Sequence, residues 1–264
     1  MKKLVLALSA VAAFTGSALA ADLPARTYSK APMMAPVYNW TGFYIFGGAG
    51  GGLWDADTRV VNHTTGAGLL PLNQKQGGDG WYGTVGAGYD WQFSGSWVAG
   101  IFADGQFGSI KGTIQDQDPF FAGSEKLKTS WAAGVRLGYL VAPNVLSYVN
   151  GGYSGSNWSG TTLLDTRTGA ATGVHTNSFD RNGWFIGGGV ENSLNIFGIA
   201  APGWFMKTEY RVAEYERTTL PETFVPPAGV GLTGLAVSVK PIVQTVSTSL
   251  VYRFNWGGPV VAKY

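Results

Sequence analysis

The sequence predicts an all-β fold: one eight-stranded antiparallel transmembrane β-barrel with up-and-down connections, preceded by a signal peptide and a Pro-rich tether. Three observations predict it. Segment after segment alternates apolar and polar residues with period 2, which puts the two kinds on opposite faces of a strand. The connections between segments alternate short and long along the chain. And after the first 20 residues no stretch of about 20 apolar residues occurs that could cross a bilayer as a helix. The composition agrees. Of 264 residues, 45% are hydrophobic, 14% aromatic and only 13% charged, with 40 glycines. Soluble domains carry about 25% charged residues. Disorder needs low hydrophobicity and high net charge, so it is excluded. Collagen is excluded because the glycines keep no three-residue period. A disulfide scaffold is excluded by the absence of cysteine.

The N-terminus comes first. Met1-Lys2-Lys3 is positive, Leu4 to Phe14 is apolar, and Ala18-Leu19-Ala20 is a small-x-small site before Ala21. This predicts a signal peptide over 1–20, cleaved between Ala20 and Ala21. The formal charge of +2 comes from 18 basic and 16 acidic residues. Removing Lys2 and Lys3 leaves 16 of each, so the mature chain is neutral and a nucleic-acid partner has no electrostatic support. Export without cysteine fits a bacterial envelope protein. Residues 21–39 hold Pro24, Pro32 and Pro36 without periodicity and read as a periplasmic tether.

The barrel is expected over 40–256, with a C-terminal tail at 257–264. Eight strands are expected to begin near Gly42, Trp81, Trp97, Leu127, Asn144, Asn182, Trp204 and Val239. Over 81–93 one face reads Trp, Gly, Val, Ala, Tyr, Trp, Phe and the other Tyr, Thr, Gly, Gly, Asp, Gln. Over 131–139 one face is Trp131, Ala133, Val135, Leu137 and Tyr139, and Arg136 lies among small residues on the other. In 204–212, Trp204, Met206 and Tyr210 oppose Lys207, Glu209 and Arg211. Turns are expected at 94–96, 141–143 and 196–203, and longer loops at 53–79, 112–125, 158–181 and 217–238. Outer-membrane barrels have short periplasmic turns and longer external loops. An even strand count leaves both termini in the periplasm.

A soluble barrel has an apolar interior; a membrane barrel has an apolar exterior with aromatic girdles. Aromatics bracket the apolar faces here, and glycine crowds the polar faces, so the membrane form is expected. The charges on the polar faces then point inward: Asp90, Asp104, Arg136, Glu191, Lys207, Glu209, Arg211 and Arg253. Four are acidic and four basic. An eight-stranded interior is just wide enough for side chains to fill it, and buried charges must be paired or hydrated. This set either plugs the lumen as an ion-pair network or lines a narrow pore.

Asn39-Trp40-Thr41-Gly42-Phe43-Tyr44 after a tether opening Ala21-Asp22-Leu23-Pro24, with the ending Leu250-Val251-Tyr252-Arg253-Phe254, resembles a known family. It looks like the small outer-membrane β-barrel proteins of alphaproteobacteria, the outer-membrane immunogenic or porin-family proteins, similar in fold to the OmpA membrane domain. The resemblance implies an abundant surface antigen with an envelope-stabilising role, sometimes a weak pore, and no catalytic residues. Leu250, Tyr252 and Phe254 also resemble the signature by which the barrel-assembly machinery recognises its clients, although Phe254 is not terminal. The expected function is structural, in the cell outer membrane. A narrow passive porin for small solutes is the alternative, and adhesion or host-surface contact through the outer loops is a third. Expected partners are outer-membrane lipid and lipopolysaccharide, and periplasmic chaperones and the assembly machinery during biogenesis, with self-association left open.

No enzyme, cofactor or metal site is expected. The glycines at 47–52 lack the Gly-Lys-Ser/Thr of a phosphate loop. His63 and His175 have no partners at ligand spacing. Asp116 and Asp118 begin an EF-hand-like spacing that Pro119 interrupts.

Overall fold

The computed structural model describes residues 38–69, 74–115, 121–196 and 199–254. The signal peptide, the Ala20–Ala21 cleavage pair, the tether up to residue 37, Asp116, Asp118 and the tail from 255 on lie outside the described residues. Eleven strands are described: β1 (Gly42–Asn62), β2 (Gln74–Phe93), β3 (Trp97–Gln115), β4 (Phe121–Ala142), β5 (Val145–Trp158), β6 (Thr161–Asp165), β7 (Ala171–Thr176), β8 (Phe179–Ile196), β9 (Ile199–Tyr215), β10 (Thr218–Phe224) and β11 (Gly231–Arg253). Among the described residues no helix is long and apolar enough to cross a membrane.

All pairings are antiparallel. The order β1-β2-β3-β4-β5-β8-β9-β11 closes when β11 returns to β1. This is an eight-strand ring, and its closing ladder runs unbroken from Tyr44↔Arg253 to Asn62↔Leu235. Closure leaves no strand edge to face lipid, where unpaired backbone groups are costly. β6, β7 and β10 are not extra staves. β6 follows β5 after Ser159-Gly160, β7 precedes β8 across Asn177-Ser178, and β10 follows β9 after Glu216-Arg217. They pair as their lower halves do: β6 with β4 and β7, and β10 with β7 and β11. Three staves bend and continue, so the ring stays closed beyond the bend.

The chain turns at one end in short connections: 94–96, where Ser94 and Gly95 take positive φ (49° and 74°), and Pro143-Asn144. The β8–β9 connection is shorter than the sequence implied, since Ile196 already pairs with Ile199. The expected outer loops need a correction. Much of 53–79, 112–125, 158–181 and 217–238 is ladder, and the connections at that end are confined to 63–73, 116–120, 166–170 and 225–230.

The reason is an inversion of polarity along the strands. Between Trp81 and Trp91 the outward residues of β2 are apolar. Ten steps at about 3.3 Å, tilted about 40°, give a band roughly 25 Å tall, the thickness of a lipid-facing belt. Beyond that belt the outward face meets water. In β1, Asp55, Asp57 and Arg59 point out while Trp54, Ala56, Thr58 and Val60 are buried. The charges that break the apolar pattern mark the part of a strand that has left the membrane. Both barrel types weighed from the sequence are present, stacked end to end on the same strands.

Glycine sets how closely the staves fill the lumen. A Cβ on Gly50 would strike the Val246 carbonyl oxygen and come within 2.9 Å of the Tyr82 hydroxyl.

Candidate functional site

The site is the lumen within the lipid belt, and it is built in layers. All eight charged residues singled out above are buried there, from Asp90 and Glu191 at 0% exposure to Asp104 at 7%. In the layer nearer the short turns, Asp90 (β2), Arg136 (β4), Glu191 (β8) and Arg253 (β11) form a closed quartet. Arg136 Nε donates to Asp90 Oδ1 at 2.9 Å, its Nη2 pairs with Asp90 Oδ2, and its Nη1 donates to Glu191 Oε2 at 3.1 Å. Arg253 Nε donates to Glu191 Oε1 at 2.7 Å, and its Nη1 to Asp90 Oδ2 at 2.8 Å. Each carboxylate thus bridges both guanidiniums, the forked geometry at which arginine is strongest.

The second layer centres on Glu209 (β9). Arg211 grips Asp104 (β3) through Nη1 at 3.0 Å and Nη2 at 2.7 Å, and Nη2 also reaches Glu209 Oε1 at 2.7 Å. Glu209 Oε2 accepts from the Tyr148 hydroxyl at 2.9 Å and Asn150 Nδ2 at 2.8 Å. Lys207 Nζ stands 3.9 Å from Glu209 Oε2 and 3.4 Å from the centre of the Phe46 ring. The rings of Tyr44, Tyr148, Phe102 and Phe185 face the guanidiniums of Arg136 and Arg211 within 4.4–5.6 Å. Such cation–π contacts strengthen when desolvated. They replace part of the hydration that the buried cations lost.

Trp40 caps the quartet. It is 1% exposed, its ring lies 4.5 Å from the Arg253 guanidinium, and its carbonyl accepts from Arg253 Nη1 at 3.3 Å. Its backbone N–H donates to Gln92 Oε1 at 2.9 Å, and its indole packs on Phe205 at 4.9 Å. The sequence presents Trp40 only as the residue opening β1. Its role as a stopper depends on contacts with Gln92, Phe205 and Arg253 that no period-2 pattern records. Tyr44 and Phe46 escape sequence reading because β1 carries aromatics on both faces, Phe43 outward and Tyr44 inward, so hydrophobicity alone does not say which face is lumen.

Outside, Trp81, Phe107, Trp131 and Trp184 form an exposed girdle at one edge of the belt, with Trp81 at 79% and Trp184 at 70%. Trp91, Trp97, Tyr139 and Trp204 form the other. Leu250 and Tyr252 of the expected assembly signal join this outer surface. Tyr252 lies between Trp204 and Phe254, at 5.1 and 4.9 Å. Trp and Tyr favour the two membrane–water interfaces.

At the outer end, Asp165 in the β6–β7 hairpin accepts from Arg167, which holds its carboxyl down to about 2. His175 Nδ1 lies 3.0 Å from the Thr162 hydroxyl. His63 begins the β1–β2 turn, where Asn62 Oδ1 accepts from the N–H groups of Thr64 and Thr65. Among the described residues no group of three His, Cys, Asp or Glu side chains could hold a metal ion.

No protein-family model matches the chain. It is 30% identical over 266 residues to the 31 kDa outer-membrane immunogenic protein of Brucella melitensis, covering 96% of this chain and all of that protein. The protein of the same name from Brucella suis matches equally. The crystal structure of the outer membrane protein OprG from Pseudomonas aeruginosa superposes with a TM-score of 0.50 at 12% identity, over 82% of this chain and 98% of that one. At that identity the likeness concerns the fold.

Proposed function

This chain belongs to the family of the 31 kDa outer-membrane immunogenic proteins and is a β-barrel of the bacterial outer membrane, and from that premise we propose that it is a closed structural barrel that displays rigid hairpins at the cell surface. One observation carries the reading. The quartet of Asp90, Arg136, Glu191 and Arg253 spans the lumen with both carboxylates bridged, and Trp40 seals the face below it. A pore needs charges that face water. Each charge in this quartet is instead held by its neighbours at 4% exposure or less. The barrel has no catalytic part in this reading. Its function is mechanical and presentational: it anchors a ladder-reinforced projection in the membrane. The name of the Brucella relatives, immunogenic, fits a surface that meets the outside.

The test is conductance of the refolded mature protein in a planar lipid bilayer, with folding checked by heat-modifiable gel mobility. The folded barrel is expected to be silent. Stable, reproducible channel steps would establish the narrow-porin alternative in its place.

A further inference from the structure

Above the outer aromatic girdle the outward charges of the barrel are sorted by side. β1 presents Asp55, Asp57 and, farther out, Arg59; β2 presents Asp79, β8 Asp180 and β9 Glu214, all exposed. Lys240 of β11 is paired with Glu214. Three cations gather on the β3–β4 wall. Lys111 of β3 and Lys126 of β4 stand directly opposite each other, between the pairs Ile110↔Leu127 and Gly112↔Glu125. Ile110, Leu127 and Glu125 are buried inside, so the alternation turns both lysines outward. Lys128 is exposed beside them, at the ladder irregularity between Leu127 and Thr129. None of the three joins the outer-surface ion pairs of the described residues, which are Arg167–Asp165 and Lys240–Glu214. On its other flank Lys126 meets Ser159, a neutral neighbour whose hydroxyl accepts from its backbone N–H at 3.1 Å. Asp79 faces Lys111 from β2, so the patch sets three cations against one anion.

Like charges directly opposite each other on a sheet repel, and an anion between them removes the cost. The depth of the patch says which anion is at hand. Phe107 and Trp131 of the girdle lie on the same two strands, three to five residues below. At about 3.3 Å per residue and a tilt of about 40°, the lysine backbones stand roughly 8–13 Å above the girdle. A lysine stem lies back along apolar surface, which brings its ammonium lower. The polar layer of a bilayer extends about 5–8 Å beyond the hydrocarbon, within that reach. We propose that this wall binds a phosphate of the lipid A headgroup of lipopolysaccharide. The phosphate sits between Lys111 and Lys126, Lys128 completes its neutralisation, and the acyl chains run down over Phe107 and Trp131.

The charge balance favours this lipid over a phospholipid. A phosphomonoester carries about −1.5 to −2 charges, which matches three lysines less Asp79. A phosphodiester carries one and leaves the patch positive. The outward carboxylates of β1, β2, β8 and β9 repel the same group, so one wall of the barrel is singled out. The inference rests on the outer-membrane placement of the barrel and not on whether its lumen conducts.

The experiment is native mass spectrometry of the full mature protein, folded in detergent micelles and titrated with three lipids in turn. These are lipid A with both phosphates, the same lipid A enzymatically stripped of phosphate, and phosphatidylglycerol. The expected result is saturable binding of the phosphorylated lipid A, at least tenfold tighter than either of the others. A variant carrying Lys111→Gln and Lys126→Gln is expected to lose that tenfold preference and bind the stripped lipid as the wild type does. Lys240→Gln, on the wall of β11, is expected to keep the preference. The double substitution removes a repulsion, and heat-modifiable mobility checks that the barrel folds. Equal binding of phosphorylated and stripped lipid A by the wild type would overturn the proposal. So would equal binding of phosphatidylglycerol, and neither comparison needs a variant. A folded double variant that keeps the full preference would place the phosphate elsewhere and overturn it as well.

Discussion

Two buried carboxylates, in different parts of the same barrel, respond oppositely to substitution. Asp90 lies between two guanidiniums. Arg136→Ala leaves Asp90 and Glu191 sharing Arg253 alone, an uncompensated anion inside the barrel. Breaking a buried pair this way costs about 3–5 kcal/mol. The urea midpoint of the barrel in lipid vesicles is expected to fall accordingly, and an unchanged midpoint would show that the quartet contributes nothing to stability. Glu125 forms no salt bridge, and burial outweighs the hydrogen bonds of Lys126 N–H and Ser159. Its carboxyl is raised from 4.5 to about 8 in the folded chain. Between those values the folded state holds a proton that the unfolded state has released, so stability is fully present below about pH 4.5 and declines as pH rises towards 8. The limiting slope is about 1.4 kcal/mol per pH unit. Glu125→Gln is expected to flatten that decline. Parallel curves for the two proteins in thermal melts from pH 5 to 9 would refute the assignment.

At the scale of the strand, the polarity pattern is readable in the sequence only if one knows where the membrane stops. Within the belt, the faces of 81–93, 131–139 and 204–212 are arranged in the structure as the alternation implies. Beyond it the same alternation continues with the sign reversed. Trp54 to Val60 inside and Asp55 to Arg59 outside therefore look like a loop to anyone expecting an apolar exterior. The bends at Ser159-Gly160, Asn177-Ser178 and Glu216-Arg217 hide three more ladders in the same way. The eight lumen charges could be found because they interrupt glycine-rich faces. Trp40 and Glu125 could not, since what distinguishes them is a contact or a degree of burial acquired in three dimensions. Strand contact also makes a prediction. Gly50 faces the β11 backbone and the Tyr82 hydroxyl with no room for a Cβ. Gly50→Val is expected to block closure of β1 on β11 and remove the heat-modifiable band. A normally folded variant would mean that the ladder yields at this point.

For the whole molecule, orientation follows from the two kinds of turn. The girdles place 94–96 and 143–144 on the same side as Trp40, and 166–170 and 225–230 at the far end of the projecting ladder. A cysteine at Thr168 is expected to react on intact cells with a maleimide too large to cross the outer membrane. One at Asn144 is expected to react only after permeabilisation. The opposite pattern would invert the topology.

The quartet also bears on how the barrel is completed. Its four corners come from β2, β4, β8 and β11, so three of them exist before the last strand arrives. A chain built as far as β9 holds Asp90 and Glu191 against Arg136, one negative charge in excess at the heart of the structure. Arg253 arrives on β11, neutralises that charge and, through the Trp40 carbonyl, ties the first described residues to the last. Charge balance in the quartet is therefore a property of the complete ring alone, reached only when β11 is in place beside β1.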